Sequence, residues 1–200
     1  MKEKPILFKG EMVRAIRCVD NPKSQTRREV NPQAEGNDEI GFSGERPPCP
    51  YGQVGDRLWV KETFSTDFKN YYPHDPIWYR TDDDRASLIE HRNGVQGIWS
   101  PESKQFVPFK WKPSIFMRRA FSRLTLEITK IRVERLRDIS EEDAIAEGVQ
   151  PLSHGFKNYL VADLQCGDAR MSYMSLWESI NGEGSWAKNP WVWVIEFKKL

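Results

Sequence analysis

The sequence predicts a domain of the α+β or β-barrel class, and three observations carry this prediction. Short apolar or alternating segments, typical of strands, outnumber the amphipathic segments that predict helices. The two kinds do not alternate regularly along the chain, as they do in a parallel α/β fold. Hydrophobic residues make up 38% and charged residues 30% of the 200 positions, as in a globular protein. We therefore expect one domain over residues 1–200, with an inserted segment at about 65–110.

The N-terminal region begins with a strand and a helix. Apolar residues 6–8 predict the first strand. Residues 11–19 carry apolar side chains at helical spacing and predict a helix, which the pair Asn21-Pro22 ends. Pro, Gly, Asn and Glu dominate residues 30–50, which we expect to form a long irregular loop.

A turn, a strand and the insertion follow. Residues 52–56 predict the turn, and residues 57–64 predict the strand. Residues 65–110 mix aromatic and polar side chains with several turn signals. Because so long a loop without structure of its own is uncommon in a compact domain, we expect short strands around 77–80 and 97–99.

Two long strands are predicted in the second half of the chain. Residues 123–129 alternate apolar and polar side chains, and the apolar positions then change parity to Ile131 and Val133. A shift of one residue indicates a β-bulge or a bend. Residues 191–197 are almost continuously apolar, which predicts a strand that is buried on both faces.

Two helices are predicted between those strands. Ser140 is a suitable N-cap for a short helix at 141–147, with acidic residues in its first turn and Gly148 as its stop. Residues 171–180 predict a second helix, whose apolar stripe starts at Met171.

Charge and cysteine content exclude several function classes. A formal net charge of +1 argues against a protein that coats nucleic acid through many phosphate contacts, although it allows a local basic patch. The cysteines and histidines are too scattered to predict a disulfide framework or a zinc site. These residues are Cys18, Cys49, Cys166, His74, His91 and His154.

Nothing in the sequence predicts a membrane segment. No stretch approaches the roughly 20 apolar residues that span a bilayer, and the N-terminus lacks the apolar core of a signal peptide. We expect a cytoplasmic protein with no membrane partner, no cofactor and no metal. The aspartates at 82–84 can in principle bind a divalent ion, but we interpret them as a solvated turn.

The motif at residues 23–28, Lys-Ser-Gln-Thr-Arg-Arg, is the strongest chemical signal. Lys23 offers a compact charge that can lose its proton when desolvated, and Arg27 and Arg28 can bind phosphate through two hydrogen bonds each. Thr26 can be a nucleophile or can position one. The alternative is a solvated basic loop just past the end of a helix.

Glu147 is the second unusual residue. It lies at the C-terminal end of the predicted short helix, where a carboxylate opposes the helix dipole. Local rules are broken more often at functional sites. The alternative is an exposed glutamate without a special role.

Aromatic and basic residues of the insertion predict a nucleic-acid surface. Trp78, Trp99 and Trp111 lie among tyrosines, arginines and lysines, a mixture that suits base stacking on single strands. The alternative is a hydrophobic cluster that closes the insertion. Arg118 and Arg119 form a second basic cluster, for which a solvated face is the alternative.

The order of these motifs resembles the ASCH domain family of the PUA-like superfamily, including members encoded by bacteriophages and prophages. The family has a Gly-x-Lys-x-x-x-x-Arg loop, in which Lys23 and Arg28 match and Asn21 replaces the glycine. Asn tolerates a positive φ better than most residues, so the turn can survive. The other matching segments are Gly-Asp-Arg-Leu-Trp-Val-Lys-Glu at 55–62 and Ser-Glu-Glu-Asp-Ala at 140–144.

This resemblance implies a PUA-like small β-barrel with a few flanking helices. It also implies a cleft between the lysine loop and the short helix, lined by Lys23, Thr26, Arg28 and Glu147, for RNA, single-stranded nucleic acid or a modified nucleoside. Some members are amidohydrolases that act on 4-acetylcytidine, whose Lys, Thr and Glu fall on Lys23, Thr26 and Glu147. Other members resemble ribonucleases.

Three functions therefore stay open. The first is a binding module for nucleic acid or a nucleoside. The second is a hydrolase, in which Lys23 accepts a proton from Thr26 or from a water that Thr26 holds. Glu147 orients the lysine or passes the proton to the leaving amine, and Arg27 or Arg28 binds a phosphate or stabilises an oxyanion. The third is a phage-encoded protein-interaction module that uses the aromatic insertion.

Overall fold

The computed structural model describes residues 1–31, 33 and 48–200 and has a mixed α+β fold. The strands are β1 Glu3–Leu7, β2 Gln25–Glu29, β3 Arg57–Lys61, β4 Phe64–Ser65, β5 Trp78–Tyr79, β6 Ile89–Arg92, β7 Val95–Ser100, β8 Gln105–Pro108, β9 Thr125–Arg135, β10 Pro151–Leu152, β11 Gly155–Lys157, β12 Gln165–Cys166 and β13 Trp191–Lys199. The α-helices in the described residues are α1 Gly10–Arg17, α2 Asp83–Ala86, α3 Glu141–Ala146 and α4 Ala169–Asn181.

The largest sheet has the strand order β1-β3-β9-β13-β2. β13 lies between β9 and β2 and pairs antiparallel with both, which confirms the predicted strand that is buried on both faces. Its central position explains the continuous apolar run, because neither face is left to solvent. Among the described residues, no closed barrel is found.

The predicted bulge lies at Thr129. Glu196 of β13 pairs with Lys130, whereas the next residue, Phe197, pairs with Ile128, so Thr129 is the extra residue of β9. This confirms the change of parity, since an extra residue turns the following side chains to the other face.

The chain divides into two compact units. Unit 1 comprises Met1–Lys4, Ala15–Leu58 and Leu126–Leu200, and unit 2 comprises Pro5–Arg14 and Trp59–Thr125. The predicted insertion at 65–110 lies within unit 2. Most of the irregular loop predicted at 30–50 lies outside the described residues.

Unit 2 has its own aromatic core. Phe68, Trp78, Ile98 and Phe109 are all buried and pack against one another. The ring centroids of Phe68 and Trp78 are 4.1 Å apart. β4 and β5 pair antiparallel, and β6, β7 and β8 form a separate antiparallel sheet. The strands predicted near 77–80 and 97–99 are therefore present as β5 and β7.

The strand predicted at 57–64 is two strands. β3 ends at Lys61 and β4 begins at Phe64. Between them Glu62 is buried, and Oε1 of its carboxylate accepts a hydrogen bond of 3.0 Å from Nε of Arg123. A buried carboxylate needs a charged or hydrogen-bonding partner such as Arg123. The backbone hydrogen bonds of a continuous strand do not supply that partner.

Helix α1 is shorter than predicted. It ends at Arg17, and Val19, the last residue of the predicted helix, is 91% exposed. Cys18 N donates to Ala15 O at 3.3 Å. Donor and acceptor are three residues apart, so this bond closes the last turn of the helix more tightly than an α-helical bond does. The apolar spacing therefore extends two residues past the helix itself.

The predicted apolar stripe of α4 is partly wrong. Met171 is half exposed, whereas Ser172, Tyr173 and Ser175 are buried. Ser172 Oγ donates to the Lys157 carbonyl at 2.6 Å. Short serine side chains with satisfied hydroxyls let this face approach its neighbours, and a count of apolar residues overlooks them.

The structure contains no helix in residues 1–31 or 48–200 that combines the length and apolar character needed to cross a bilayer.

We predict that any side chain at position 148 disturbs the packing of unit 1. Its φ is +83°, and an added Cβ lies 2.9 Å from the Cβ atoms of both Ala15 and Lys23. Gly148→Ala therefore combines backbone strain with a clash and should lower the free energy of unfolding by about 2–3 kcal/mol. Urea denaturation measures the change.

Gly184→Ala is the matched control. Gly184 has φ +74°, but an added Cβ meets no atom within 4 Å. This variant should lose only the strain term, about 1 kcal/mol. Equal losses in the two variants would contradict the clash at Gly148.

Candidate functional site

The lysine loop is anchored on both sides within unit 1. Asn21 has φ +58°, a left-handed conformation that asparagine tolerates better than most residues. Lys23 N donates to Ala15 O at 3.0 Å, and Ser24 N donates to Ala146 O at 2.9 Å. These bonds tie the loop to the end of α1 and to α3. Lys23 is 3% exposed, so the alternative of a solvated basic loop does not describe it.

Lys23 and Glu147 form a buried ion pair. Lys23 Nζ donates to Glu147 Oε2 at 2.8 Å and to the Glu147 carbonyl at 2.5 Å. Burial lowers the pKa of Lys23 below its ordinary value, and the neighbouring carboxylate of Glu147 offsets this only in part. The pair joins the two residues that the sequence singled out independently.

The position of Glu147 follows from the local sequence of α3. Ser140 Oγ accepts a hydrogen bond from Asp143 N at 3.1 Å and starts the helix, and Gly148 ends it. Glu147 is thus the C-cap residue. Its carboxylate opposes the helix dipole, but Lys23 supplies the positive charge that this helix end favours.

Arg27 is the second buried cation. Nη1 donates to Glu147 Oε1 at 3.2 Å, and Nη2 donates to Asp143 Oδ2 at 2.8 Å and to Glu134 Oε1. Burial by itself lowers the pKa of Arg27, but the carboxylate of Glu147 and its other neighbours raise it above the ordinary value. Arg27 is therefore a permanent charge.

Arg132 completes the arrangement from β9. Nε donates to Glu134 Oε2 at 2.9 Å and Nη2 to Asp143 Oδ2 at 2.5 Å, and Nη1 donates to Glu196 Oε1. The pKa of Asp143 is raised by burial, but hydrogen bonds from Arg27 and Arg132 lower it overall. We call the connected set the ion network. Its members are Lys23, Arg27, Arg132, Glu134, Asp143, Glu147 and Glu196.

Thr26 and Arg28 lie on the opposite face of β2 from Arg27. Arg27 pairs with Val194, and Thr26 pairs with Ile195. Because successive side chains of a strand point to opposite faces, the face that carries Arg27 cannot also carry Thr26. The structure thus brings Lys23 and Glu147 together, whereas Thr26 and Arg28 point to the other side of the sheet.

A cleft of about 290 Å³ lies beside the ion network in unit 1, and we call it the acidic cleft. Asp143 and Glu196 belong to both features, and Glu142 adds a third carboxylate. Lys23, Thr26, Arg28 and Glu147 are not among its lining residues. Those residues are Ser24, Gln25, Thr129, Glu142, Asp143, Ala146, Glu196 and Phe197.

The three tryptophans of the insertion have different environments. Trp78 is 1% exposed, and its indole Nε1 donates to Asp75 Oδ2 at 2.7 Å. Trp111 packs against the same aromatic core. Both environments favour packing over base stacking. Trp99 is 44% exposed, and the guanidinium of Arg92 lies 5.2 Å from its ring centroid.

Arg118 and Arg119 are exposed residues of unit 2. Arg119 Nη2 donates to Thr125 Oγ1 at 3.1 Å. Neither residue belongs to the ion network.

Sequence reasoning missed the contribution of β9. Lys130, Arg132 and Glu134 alternate with apolar residues just after the parity change, so one face of the second half of β9 carries charges. A face of alternating charges on a strand of the main sheet indicates partners across that face. This signal pointed to Arg132 and Glu134.

Within the described part of the chain, no group of three or more His, Cys, Asp or Glu side chains is arranged to hold a metal ion. Asp82, from the aspartate run, instead forms an ion pair of 2.8 Å with Arg123.

No protein-family model matches the chain, and neither the curated proteins nor the solved structures contain a significant match to it.

The buried pair is predicted to be strongly coupled. Glu147→Gln leaves the ammonium of Lys23 buried opposite a neutral amide and should lower the free energy of unfolding by about 3–5 kcal/mol. Lys23→Met should also destabilise. The double variant should lose less than the two single losses added together, because no uncompensated ammonium remains at position 23. Urea denaturation of the four proteins measures this coupling.

The ion pair between the exposed Lys198 and the partly exposed Glu127, at 3.0 Å, is the control for this cycle. Lys198→Met and Glu127→Gln should show a coupling below about 1 kcal/mol. A Lys23–Glu147 coupling of that same small size would contradict the description of the pair as a buried, interdependent unit.

Proposed function

We propose that this chain is an ASCH-type, PUA-like protein that binds a modified nucleoside, with the acidic cleft as its ligand site. A small β-barrel and a cytoplasmic location are parts of the same proposal. The observation that carries it is the buried pair of Lys23 and Glu147, which lies in an ion network at the wall of this cleft. The burial of this many charges costs free energy. Clusters of ionisable groups with perturbed pKa values are concentrated at functional sites.

The charges of the cleft favour a nucleoside over a polynucleotide. Glu142, Asp143 and Glu196 line it, and carboxylates accept hydrogen bonds from amino groups and ribose hydroxyls. The same carboxylates repel phosphates, on which RNA affinity depends. A volume of about 290 Å³ is near the lower end for small-ligand pockets and suits a single nucleoside. RNA or single-stranded DNA remains the less favoured partner here.

A hydrolase is the second candidate, and the lowered pKa of Lys23 favours it. A neutral Lys23 amine can take a proton from a water that attacks the acetyl carbonyl of 4-acetylcytidine. The bond between that carbonyl carbon and the exocyclic nitrogen then breaks. The proton passes to the leaving amine, and acetate and cytidine are released.

This chemistry needs access to Lys23, whose side chain is 1% exposed. Ser24 and Ala146, the sequence neighbours of Lys23 and Glu147, line the cleft, and the scheme requires the cleft wall to open at these residues. Thr26 points to the other face of β2, so in this scheme the nucleophile is the water and not the Thr26 hydroxyl. Ribonuclease activity has weaker support because phosphate repulsion applies to its substrate as well. The protein-interaction alternative rests on the exposed Trp99.

The binding proposal predicts that cytidine and 4-acetylcytidine bind and that cytidine 5′-monophosphate binds more weakly. Thr129 is an exposed lining residue, and Thr129→Trp should fill the cleft and weaken binding at least about tenfold. Glu142→Gln should weaken binding about threefold to tenfold by removal of one acceptor charge. Isothermal titration calorimetry measures the affinities.

Glu183→Gln is the control, because Glu183 is exposed and does not line the cleft. It should bind as the unchanged protein does. If none of the nucleosides binds, or if Thr129→Trp binds them with unchanged affinity, the acidic cleft is not the ligand site.

The hydrolase candidate predicts turnover that depends on Lys23. The purified protein should release cytidine from 4-acetylcytidine, as followed by chromatography, whereas Lys23→Met should lose at least about a hundredfold in rate. Circular dichroism establishes that the variant is folded. A labelled single-stranded RNA in parallel tests ribonuclease activity. Binding without turnover leaves a nucleoside reader, and equal turnover in the variant excludes Lys23 as the base.

A further inference from the structure

Unit 2 carries an exposed apolar turn that the proposed nucleoside cleft does not use. Residues Ser114–Phe116 form a 3₁₀ turn, in which Ile115 is 61% and Phe116 is 69% exposed. Single exposed apolar side chains are common on protein surfaces, whereas neighbouring ones form a patch of the kind that marks an interaction surface. We call Ile115 and Phe116 the apolar tip.

The fold holds the apolar tip in its exposed position. Before the tip, Lys112 N donates to Phe64 O at 2.7 Å, and Phe64 N donates to Lys112 O at 3.2 Å. After the tip, Met117 is 2% exposed and packs in a cluster with Phe64 and Tyr79. Because both flanks of the turn are fixed, the exposure of the tip is a property of the fold and not of a loose segment.

Strand β3 adds an aromatic ring and a cation beside the tip. Lys61 Nζ donates to the carbonyl of Ile115 at 2.5 Å and lies 5.4 Å from the ring centroid of Trp59. Trp59 is partly exposed. Tryptophan and lysine each combine an apolar body with a polar end, so both suit the boundary between water and an apolar phase.

The chain around the tip is basic. Residues 103–126 include six lysines and arginines and no acidic residue. Lys112 pairs with Asp67 at 3.4 Å, but among the described residues no carboxylate forms an ion pair with Lys61 or with the exposed Arg118. The positive charge that remains is complementary to an anionic surface.

The shape of the tip favours a bilayer surface over a nucleic acid. Sites for single-stranded nucleic acid are grooves in which bases stack on flat rings. Ile115 has no ring to offer a base, and both tip residues protrude from the surface. Protruding apolar side chains with cations beside them fit an anionic bilayer, because the apolar groups enter the acyl boundary while the cations stay at the lipid phosphates.

We propose that the apolar tip binds the surface of a membrane that contains anionic phospholipids. Ile115 and Phe116 enter the boundary between headgroups and acyl chains, Trp59 lies at the level of the headgroups, and Lys61 and Arg118 contact lipid phosphates. The sequence prediction of no membrane partner was based on spanning segments and signal peptides, and surface binding needs neither. The site does not rest on the proposed nucleoside cleft.

Flotation of the full-length protein with lipid vesicles tests the proposal. One kind of vesicle consists of phosphatidylcholine with about 30% phosphatidylserine, and the other of phosphatidylcholine alone. The protein should float with the anionic vesicles and bind the neutral ones at least about tenfold more weakly, because each basic residue near an anionic surface adds about fivefold in affinity.

Three variants test the residues of the surface. Phe116→Ser and Ile115→Ser should each weaken binding to the anionic vesicles by at least about tenfold, since each removes a side chain that enters the apolar phase. Arg118→Gln should weaken it by about fivefold. All three side chains are exposed, so the variants should fold, which circular dichroism establishes.

Two matched controls lie outside this surface. Tyr71 is 59% exposed, and Tyr71→Ser removes an aromatic side chain of unit 2 away from the tip sequence. Lys188→Gln removes an exposed charge of unit 1. Each should change vesicle binding by less than about twofold. Thr129→Trp in the acidic cleft should also leave it unchanged, so a failed nucleoside cleft and a failed membrane surface give different results.

Three results would overturn the proposal. The first is that the protein floats with neither kind of vesicle. The second is that Tyr71→Ser or Lys188→Gln weakens vesicle binding as much as the tip variants do, which shows non-specific adsorption. The third is that Phe116→Ser loses binding to a labelled oligouridylate but keeps binding to the vesicles, which assigns the tip to single-stranded nucleic acid.

Discussion

The burial of the Lys23 ammonium is the constraint on which the rest of unit 1 depends. A buried charge is tolerated only when a partner neutralises it and its hydrogen bonds are satisfied. Glu147 meets both needs, because its carboxylate and its own carbonyl accept from Nζ. Helix α3 must therefore end where the lysine loop passes. Gly148 permits this approach, since any side chain at that position meets Lys23 itself.

The same constraint extends through β2 into β9. The carboxylate of Glu147 also accepts a hydrogen bond from Arg27. Arg27 in turn donates to Asp143 and Glu134, and Arg132 donates to the same two carboxylates. The result is a connected set of ion pairs among side chains of β2, β9 and β13, the lysine loop and helix α3 with its C-cap. Because each member neutralises more than one neighbour, the set is interdependent, and a loss at one position is felt at the others. The lowered pKa of Lys23 is a consequence of this burial, which the carboxylate of Glu147 offsets only in part.

The cavities of the two units differ in which charges are exposed and which are buried. In unit 1, the carboxylates of Glu142, Asp143 and Glu196 line the cleft, while Lys23 and Arg27 are buried. In unit 2, a cavity of about 470 Å³ has the reverse order, since its cations are exposed and the carboxylate of Glu62 is buried. The net charge of +1 describes neither cavity, because the local field depends on where the charges lie.

Local pattern determined the elements with strong periodicity or capping signals. The buried strand β13, the bulge at Thr129 and the short helix after Ser140 all follow from the sequence, because each depends on a few neighbouring residues. Sequence also singled out Lys23 and Glu147 as unusual. Only the tertiary structure decided which residues join them. Arg27 and not Thr26 contacts Glu147, and Trp78 is core, because strand alternation and long-range packing assign each side chain to a face or an interior that no local pattern records.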